Sequence, residues 1–146
     1  MTDRIRVLVL CTGNSARSQM AEGLLRHDGG EEFVVESAGL EPSIVRPEAI
    51  KVMREIGIDI TGHRSKSIDE FMTRQFEYVI TVCDNANQNC PVFLGATRRI
   101  HWSIEDPAGV DGAEQTRLRA FRAARDDLRE RLNKFVASVK EAQARS

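Results

Sequence analysis

The stretch Cys11-Thr12-Gly13-Asn14-Ser15-Ala16-Arg17-Ser18 decides the fold, because it joins a strand pattern to a helix pattern. The run before it, at residues 5–10, is short and nearly all apolar, which is typical of a strand buried on both faces. After it, helical spacing at residues 16–28 is set by the apolar positions Met20, Ala21, Leu24 and Leu25. The loop therefore holds a thiol and a guanidinium between a buried strand and a helix.

The residue types of this loop suit the binding of a tetrahedral oxyanion. Successive backbone N–H groups in a tight loop can surround an anion, and Gly13 and Asn14 tolerate the positive backbone angles that such a loop needs. Arg17 opens the helix, whose positive end adds to the field, and its planar fork can hold two oxygens. We expect this field to lower the pKa of Cys11 and make it a thiolate nucleophile, with Ser18 donating to the sulfur. The predicted oxyanion site comprises Thr12, Gly13, Asn14, Ser15, Ala16, Arg17 and Ser18. Taken alone, the motif leaves a purely structural loop as the alternative.

The bulk composition is that of one ordinary globular domain. The chain has 146 residues, 41% of them hydrophobic and 29% charged, so we expect a single domain spanning residues 1–146. The net charge of −1 argues against a nucleic-acid-binding surface, and no apolar run approaches the ~20 residues that a membrane helix needs. The N-terminus has no signal-peptide pattern, so we expect a cytoplasmic protein, monomeric by default.

Strand and helix patterns alternate along the rest of the chain. The strand patterns predict strands at residues 33–35, 78–82 and 98–102. The helix patterns predict helices at residues 47–57, 67–70 and 112–141. This alternation predicts an α/β fold with a parallel sheet, whose sites lie at the carboxyl ends of the strands. Cys11 and Cys83 each follow a strand, and the loops after strands two and four carry Ser37 and Asp106. We therefore expect these four residues to converge at one edge of the sheet.

The last helix is the most clearly patterned. Its apolar stripe is formed by Leu118, Phe121, Leu128, Leu132, Phe135 and Val139. Six arginines lie between residues 117 and 131, mixed with acidic residues. We interpret them as a solvated face with internal ion pairs rather than as a basic docking surface.

The three cysteines, Cys11, Cys83 and Cys90, fit one nucleophile plus one reversible pair, although three small buried hydrophobic residues are the alternative. In a regular helix, Cys83 and Cys90, which are seven positions apart, would be separated by ~10 Å along the axis. A disulfide needs Cα atoms within ~7 Å. We therefore predict that this segment changes shape when the two thiols oxidise.

The quoted loop, Ser37-Ala38-Gly39 and Asp106-Pro107 resemble the low-molecular-weight tyrosine phosphatase superfamily. More closely, the chain is similar to the thioredoxin-coupled arsenate reductases of that superfamily, at Val82-Cys83, Asn89-Cys90-Pro91, His101-Trp102 and Asp106-Pro107-Ala108. The resemblance covers essentially the whole chain. It implies a four-stranded parallel sheet flanked by helices, the phosphotyrosine phosphatase I-like fold. It also implies reduction of arsenate to arsenite, and so a role in arsenic detoxification.

The resemblance also implies a role for each of the key residues. Cys11 attacks arsenic while Asp106 protonates the leaving oxygen, and Arg17 binds the oxyanion. Cys83 then attacks Cys11, arsenite departs, and Cys90 attacks Cys83, which leaves an exported Cys83–Cys90 disulfide. A thioredoxin-type dithiol protein reduces that disulfide. No metal or other cofactor takes part in this chemistry.

The chain departs from the family at a potassium site. In some members, the residues corresponding to Asn14, Ser37 and Glu22 order the loop together with a bound potassium ion, and a hydroxyl and a carboxylate follow the equivalent of His63. Here the corresponding residues are Arg64 and Lys66, which removes an anionic ligand and adds cations. This argues against a potassium site, and our hypothesis is that the Lys66 ammonium takes the place of the ion. We interpret His63 and also His101 as structural.

Two further functions remain as alternatives at this point. A tyrosine phosphatase would use Cys11, Arg17 and Asp106, but such enzymes usually carry an aromatic residue where this chain has Ala108. Weak phosphatase activity is still expected, because the two reactions share the pocket. A non-enzymatic module that binds oxyanions or senses redox state would keep the loop without needing Asp106.

Overall fold

Strand β1, Ile5–Cys11, lies inside a four-stranded parallel sheet with the order β2-β1-β3-β4. The other strands are β2 (Phe33–Gly39), β3 (Tyr78–Thr81) and β4 (Arg98–His101). Strand β1 pairs on both sides, and all of its residues except Arg6 are buried, as expected of a central strand covered on both faces of the sheet. The predicted parallel sheet is confirmed. The computed structural model describes residues 4–91, 93 and 97–145.

Within these described ranges, four helices flank the sheet, namely α1 (Arg17–Gly29), α2 (Pro47–Arg54), α3 (Asp84–Gln88) and α4 (Glu114–Ala144). Short 3-10 turns occur at Gly30–Glu32, Ile68–Phe71 and Pro107–Gly109. Helix α4 packs against α1 and α2, and every residue of its predicted apolar stripe is buried. Burying one large apolar side chain contributes roughly 1.5–3 kcal/mol, so this stripe fixes α4 firmly. Among the described residues, none of the helices has the length and apolar character that crossing a bilayer requires.

The second strand is longer than predicted. Ser37 lies within β2, paired with Val9, and not in a loop after the strand. The strand runs on to Gly39, opposite Cys11. A Cβ atom at Gly39 would lie 2.5 Å from the carbonyl oxygen of Thr12, so only glycine permits this close approach. The strand end thus packs directly beneath the quoted loop.

Other predicted boundaries shift by a few residues. Helix α2 starts at Pro47 as predicted but ends at Arg54, and Gly57 follows in the left-handed region at φ 79°. The predicted capping box produces only one 3-10 turn. In it, the Ser67 hydroxyl accepts from the Asp69 N–H at 3.2 Å. Helix α3 is an additional element within the segment between the second and third cysteines.

Candidate active site

The loop between β1 and α1 encloses the Cys11 thiol. Asn14 adopts the left-handed conformation at φ 48°, and its backbone N–H donates to Cys11 Sγ at 3.2 Å. Gly13 does not have a positive φ, so that part of the prediction is wrong. Space at Gly13 is tight, because a Cβ atom there would lie 3.3 Å from the Ser15 hydroxyl, which would have to shift by a few tenths of an ångström. Helix α1 begins at Arg17, as predicted, so the N–H groups of its first turn face the end of the helix where the loop lies. No side chain caps these N–H groups at the N-cap residue Ala16.

The thiol is buried and its charge is not favoured in the free protein. Burial raises the pKa of Cys11, and the opposing effects of Ser18, Arg17 and Asn14 do not outweigh it. The expected lowering of the Cys11 pKa is therefore wrong for the unliganded protein. Ser18 does contact the sulfur, with its Oγ 2.8 Å from Cys11 Sγ. Because Asn14 Nδ2 donates to Ser18 Oγ at 2.8 Å, the Ser18 hydroxyl proton is free to face the sulfur.

Arg17 is held by the segment that follows β4. Its Nη1 donates to the carbonyl oxygen of Ile104 at 2.7 Å, and its Nη2 lies 3.6 Å from Asp106 Oδ2. The guanidinium is thus already paired, although its charge still opposes the burial effect on the pKa of Cys11. The Asp106 side chain is 49% exposed, and its Oδ1 accepts from the Ala108 N–H at 3.0 Å. Arg17 and Asp106, predicted from separate parts of the sequence, therefore meet.

One pocket, here called the oxyanion pocket, collects most of the predicted residues. Its wall is formed by Cys11, Thr12, Gly13, Ser15, Ala16 and Arg17, and its rim by Glu41, Ser43, Arg46, Asp106 and Ala108. Asn14 and Ser18 were predicted to line it, but both are fully buried behind the loop. The rim residues at 41–46 were missed, because an irregular segment gives no periodic signal that would place it near the loop.

The second cysteine lies beside the loop. Cys83 is the N-cap residue of α3, and its Sγ lies 3.4 Å from both the Ala86 nitrogen and Thr12 Oγ1. Asn85 Nδ2 donates to the same Thr12 hydroxyl at 2.9 Å, which leaves the hydroxyl proton free for Cys83 Sγ. Cys83 is buried, and its partner across this contact is the residue next to Cys11.

The third cysteine lies beyond the end of α3. Cys90 is half-buried, and its thiol contacts the Pro91 carbonyl oxygen at 3.6 Å. Burial raises the pKa of Cys90, while the nearby Arg99 guanidinium opposes that shift. All three cysteines are free thiols.

A polar network behind the loop contains Lys66, as the substitution hypothesis requires. The Lys66 ammonium lies 3.1 Å from Glu22 Oε1 and 3.8 Å from Glu36 Oε2. Ser37 donates to Glu22 Oε1 at 2.6 Å and accepts from Asn14 Nδ2 at 2.9 Å. Glu22 is 1% exposed and Lys66 is 6% exposed. A potassium ion does not fit these residues, because a cationic nitrogen already faces the carboxylate.

The same network contains two residues at one side of Asn14. Gln19 Nε2 donates to Asn14 Oδ1 at 2.9 Å and to the Arg64 carbonyl oxygen at 2.8 Å. His63 Nδ1 lies 3.0 Å from Gln19 Oε1, and burial lowers the pKa of His63, so its ring is neutral near pH 7. These contacts fit the structural role predicted for His63, whereas Gln19 was missed. Its polar side chain among the apolar positions of α1 was the available signal. Within the described part of the chain, no group of three or more His, Cys, Asp or Glu side chains could hold a metal ion.

Known proteins are similar to this chain over nearly its full length. The family model for low molecular weight phosphotyrosine protein phosphatase matches residues 6–145. Arsenate reductase 2 of Staphylococcus saprophyticus is 42% identical over 133 residues, which cover 91% of this chain and 97% of that protein. The solved structure of an arsenate reductase in the oxidized state has a TM-score of 0.79 at 36% identity, covering 92% of this chain and 98% of that one. The thioredoxin-dependent arsenate reductase of Corynebacterium glutamicum has a TM-score of 0.77 at 26% identity, covering 97% of this chain and 64% of that one. The chain belongs to the low molecular weight phosphotyrosine protein phosphatase family.

Proposed function

We propose that this protein reduces arsenate to arsenite through Cys11, with electrons supplied by a thioredoxin-type dithiol protein. The observation that carries the proposal is the contact of Cys83 Sγ with Thr12 Oγ1 at 3.4 Å, beside the nucleophile. Hydrolysis of a phosphate ester needs one thiol in this pocket, whereas reduction needs a second thiol that can displace the product. The relatives named as arsenate reductases, one of them thioredoxin-dependent, support the same activity.

Binding of the oxyanion uses the main-chain N–H groups of the loop and Arg17. Arg17 exchanges its contacts with Ile104 and Asp106 for substrate oxygens, which match its planar fork. The raised pKa of Cys11 is compatible with attack, because the thiol can give its proton to the bound oxyanion. A neutral thiol beside an oxyanion dianion carries the same protons as a thiolate beside the monoanion, so proton transfer to the substrate creates the nucleophile.

The first chemical step forms a sulfur–arsenic bond. The Cys11 thiolate attacks arsenic, an arsenic–oxygen bond breaks, and Asp106 supplies the proton with which that oxygen leaves as water. Asp106 is placed for this role because its half-exposed carboxyl group lines the same pocket as Cys11.

The second step transfers the electrons. The Cys83 thiolate attacks Cys11 Sγ, a disulfide forms, and the electron pair of the sulfur–arsenic bond stays on arsenic, which leaves as arsenite. Two thiols are thereby oxidised by one electron each, and arsenic is reduced by two. The Cys90 thiolate then attacks Cys83, which frees Cys11 and moves the disulfide to Cys83–Cys90. Because α3 separates these residues, it must unwind for this bond to form.

The same proposal covers the setting of the reaction. A reducing cytoplasm suits a relay that starts from three free thiols. We propose a monomer whose residues 1–146 form one domain. Residues 1–3, 92, 94–96 and 146 of that range lie outside the described residues.

A weak phosphatase activity accompanies the reduction. Cys11, Arg17 and Asp106 line one pocket, as hydrolysis of a phosphate ester requires. Ala108 at the rim offers no aromatic surface for a phosphotyrosine ring, so arsenate and small aryl phosphates are better substrates than a phosphotyrosine peptide.

The variant Cys90→Ser tests the relay. We expect it to consume arsenate once per protein molecule and then stop, because the Cys11–Cys83 disulfide has no resolving thiol. The measurement is arsenite released per protein with thioredoxin, thioredoxin reductase and NADPH in excess, alongside hydrolysis of an aryl phosphate. Hydrolysis should survive in Cys90→Ser and fall by roughly 10²-fold or more in Asp106→Ala. Normal cycling of Cys90→Ser with thioredoxin would refute the three-thiol relay.

A further inference from the structure

His101, at the end of β4, joins the sheet to the first turn of α3. Its Nδ1 lies 2.8 Å from Thr81 Oγ1, and its Nε2 lies 2.9 Å from Asp84 Oδ1. A carboxylate only accepts hydrogen bonds, so the Nε2 atom carries the proton in this contact. Thr81 is buried in β3, which gives the ring a fixed anchor on its other side. The chain of contacts therefore runs from the rigid sheet to the residue that follows Cys83.

A contact with Asp84 can fix the position of the start of α3, because Asp84 is the first residue of this helix. Hydrogen bonds from His101 and Ser103 lower the pKa of Asp84, so it is ionised near neutral pH. A negative charge at this position also favours the first turn of a helix. The other side of the turn is held by Asn85, which donates to Thr12 Oγ1 at 2.9 Å. Helix α3 is only five residues long, and these two contacts hold its first turn, while the buried Ala86 and a hydrogen bond from Arg99 Nη2 to the Asn87 carbonyl oxygen at 3.3 Å hold the rest.

The turn held in this way is the one that carries the second thiol. Cys83 is the N-cap residue of α3, and its Sγ accepts from the Ala86 N–H at 3.4 Å. Rotation of this turn away from β4 would move Cys83 Sγ off Thr12 Oγ1, which lies 3.4 Å away. Attack on Cys11 needs the sulfur within near-contact distance and in line, so a displacement of about 1 Å can cost up to about 10²-fold in rate.

We propose that His101 is a positioning residue that acts through Asp84 to hold Cys83 in place for attack on Cys11. The proposal rests on the proposed function, since it concerns formation of the Cys11–Cys83 disulfide. It assigns His101 no contact with the oxyanion. It also gives His101 a role beyond the structural one predicted from the sequence. The spacing of His101 and Asp84 in the sequence could not reveal this role, because it does not show that the two residues are in contact.

The test measures disulfide formation and oxyanion binding separately. In a Cys90→Ser background without thioredoxin, the reduced protein is mixed with arsenate, quenched with acid, and its remaining thiols are counted by alkylation and mass spectrometry. Binding is measured as the inorganic phosphate concentration that halves alkylation of Cys11. We expect His101→Phe to slow disulfide formation roughly tenfold and to leave the phosphate concentration within about twofold of its original value.

Matched variants separate positioning from general destabilisation. His27→Phe removes another histidine contact, at 2.9 Å from Asp28 Oδ1 and far from the pocket, and should change neither measurement. Asp84→Ala should slow the disulfide as much as His101→Phe, while Asp84→Asn, which keeps an acceptor oxygen, should retain most of the rate. The Asp84 side chain is 69% exposed, so these changes leave the core intact. The double variant His101→Phe/Asp84→Ala should be no slower than either single one.

Three results would overturn the proposal. An unchanged disulfide rate in His101→Phe shows that the contact does not position Cys83. A parallel loss of phosphate protection shows a general structural role instead. Absence of arsenate-dependent disulfide in the Cys90→Ser parent itself overturns the proposed function, and this inference with it.

Discussion

At the scale of single residues, Asn14 determines the shape of the oxyanion loop. It is fully buried in the left-handed conformation, which non-glycine residues adopt only when their surroundings enforce it. Its side-chain nitrogen donates to Ser18 and Ser37, and its side-chain oxygen accepts from Gln19 Nε2 and from the Lys66 N–H at 2.8 Å. All hydrogen-bonding capacity of the amide is used, so the loop is held before any substrate arrives.

Lys66→Ala tests whether the lysine acts as a built-in cation. Among the described residues, the change leaves Arg26, at 3.0 Å, as the cationic partner of the buried Glu22 carboxylate, with the neutral His63 ring 3.4 Å away. We expect unfolding free energy to fall by roughly 1–3 kcal/mol, less than the ~3–5 kcal/mol for breaking an isolated buried pair, because Arg26 remains. Arsenate reduction by the natural chain should be equal in potassium and sodium chloride at one ionic strength. In potassium chloride, the Lys66→Ala variant should regain part of the unfolding free energy that it loses in sodium chloride.

The control for this experiment is Lys51→Ala, which removes an exposed ammonium paired with Glu114. It should change unfolding free energy by less than about 1 kcal/mol and show no difference between the two salts. Strong potassium stimulation of the natural chain would contradict the role given to Lys66.

Residue identities were easier to predict than their electrostatic states. The motif around Cys11 and Arg17, and Asp106 before a proline, are visible in the sequence because the chemistry demands those residue types. The raised pKa of Cys11 was not predictable, because it depends on complete burial of the sulfur. Nor was the contact of Arg17 with the Ile104 carbonyl, since it joins residues 87 positions apart.

At the scale of elements, ion pairs fasten α4 to α2. The sequence predicts that the arginines of α4 form a solvated face with pairs inside the helix, and the pair of Arg131 with Asp127 fits this prediction. Arg122 and Arg125, however, both bind Glu55, the residue that follows α2. Sequence periodicity identifies which face of a helix is polar, but it cannot say which neighbouring element supplies the counter-ions.

The pH dependence of stability should reveal the Glu55 pair. Hydrogen bonds from Arg122, and next from Arg125, lower the pKa of Glu55 from 4.5 to about 2. The folded protein thus favours the ionised form, so this contribution is present above pH 4.5 and is lost as the pH falls toward 2. We expect Glu55→Gln to lower Tm at pH 7, with a deficit that narrows from pH 4.5 downward in thermal unfolding followed by circular dichroism.

Because Glu55 is 37% exposed, solvent screens the pair and the deficit at pH 7 should be a few degrees at most. Glu31→Gln, a change at an exposed residue in the turn before β2, serves as the matched control and should show no deficit. A Glu55→Gln deficit that stays constant down to pH 3 would show that the charge of Glu55 is not what fastens the two helices.

At the scale of the whole molecule, the carboxyl edge of the sheet gathers the site. Strand β1 ends at Cys11, β2 carries Ser37 near its end, Cys83 follows β3, and Asp106 follows β4. This convergence was predictable, because parallel strands place their carboxyl ends at one edge. What could not be predicted is how α3 and the loops orient their side chains there, since short segments take their conformation from tertiary contacts.

Unfolding of the reduced protein should be a single cooperative transition. Trp102, the one tryptophan of the chain, lies between β4 and α4, whereas far-ultraviolet circular dichroism is dominated by the long helices. Because α4 packs on α1 and α2 and the sheet is continuous, loss of one layer exposes the core of the others. The two probes should therefore give one urea midpoint and one slope of about 1–3 kcal/mol/M.

Leu128→Ala, in the buried stripe of α4, should lower both midpoints equally, at a cost of about 2–5 kcal/mol of unfolding free energy. Separate midpoints for tryptophan fluorescence and circular dichroism in dithiothreitol would contradict a single domain, because the fully reduced protein has no disulfide-linked population to account for them.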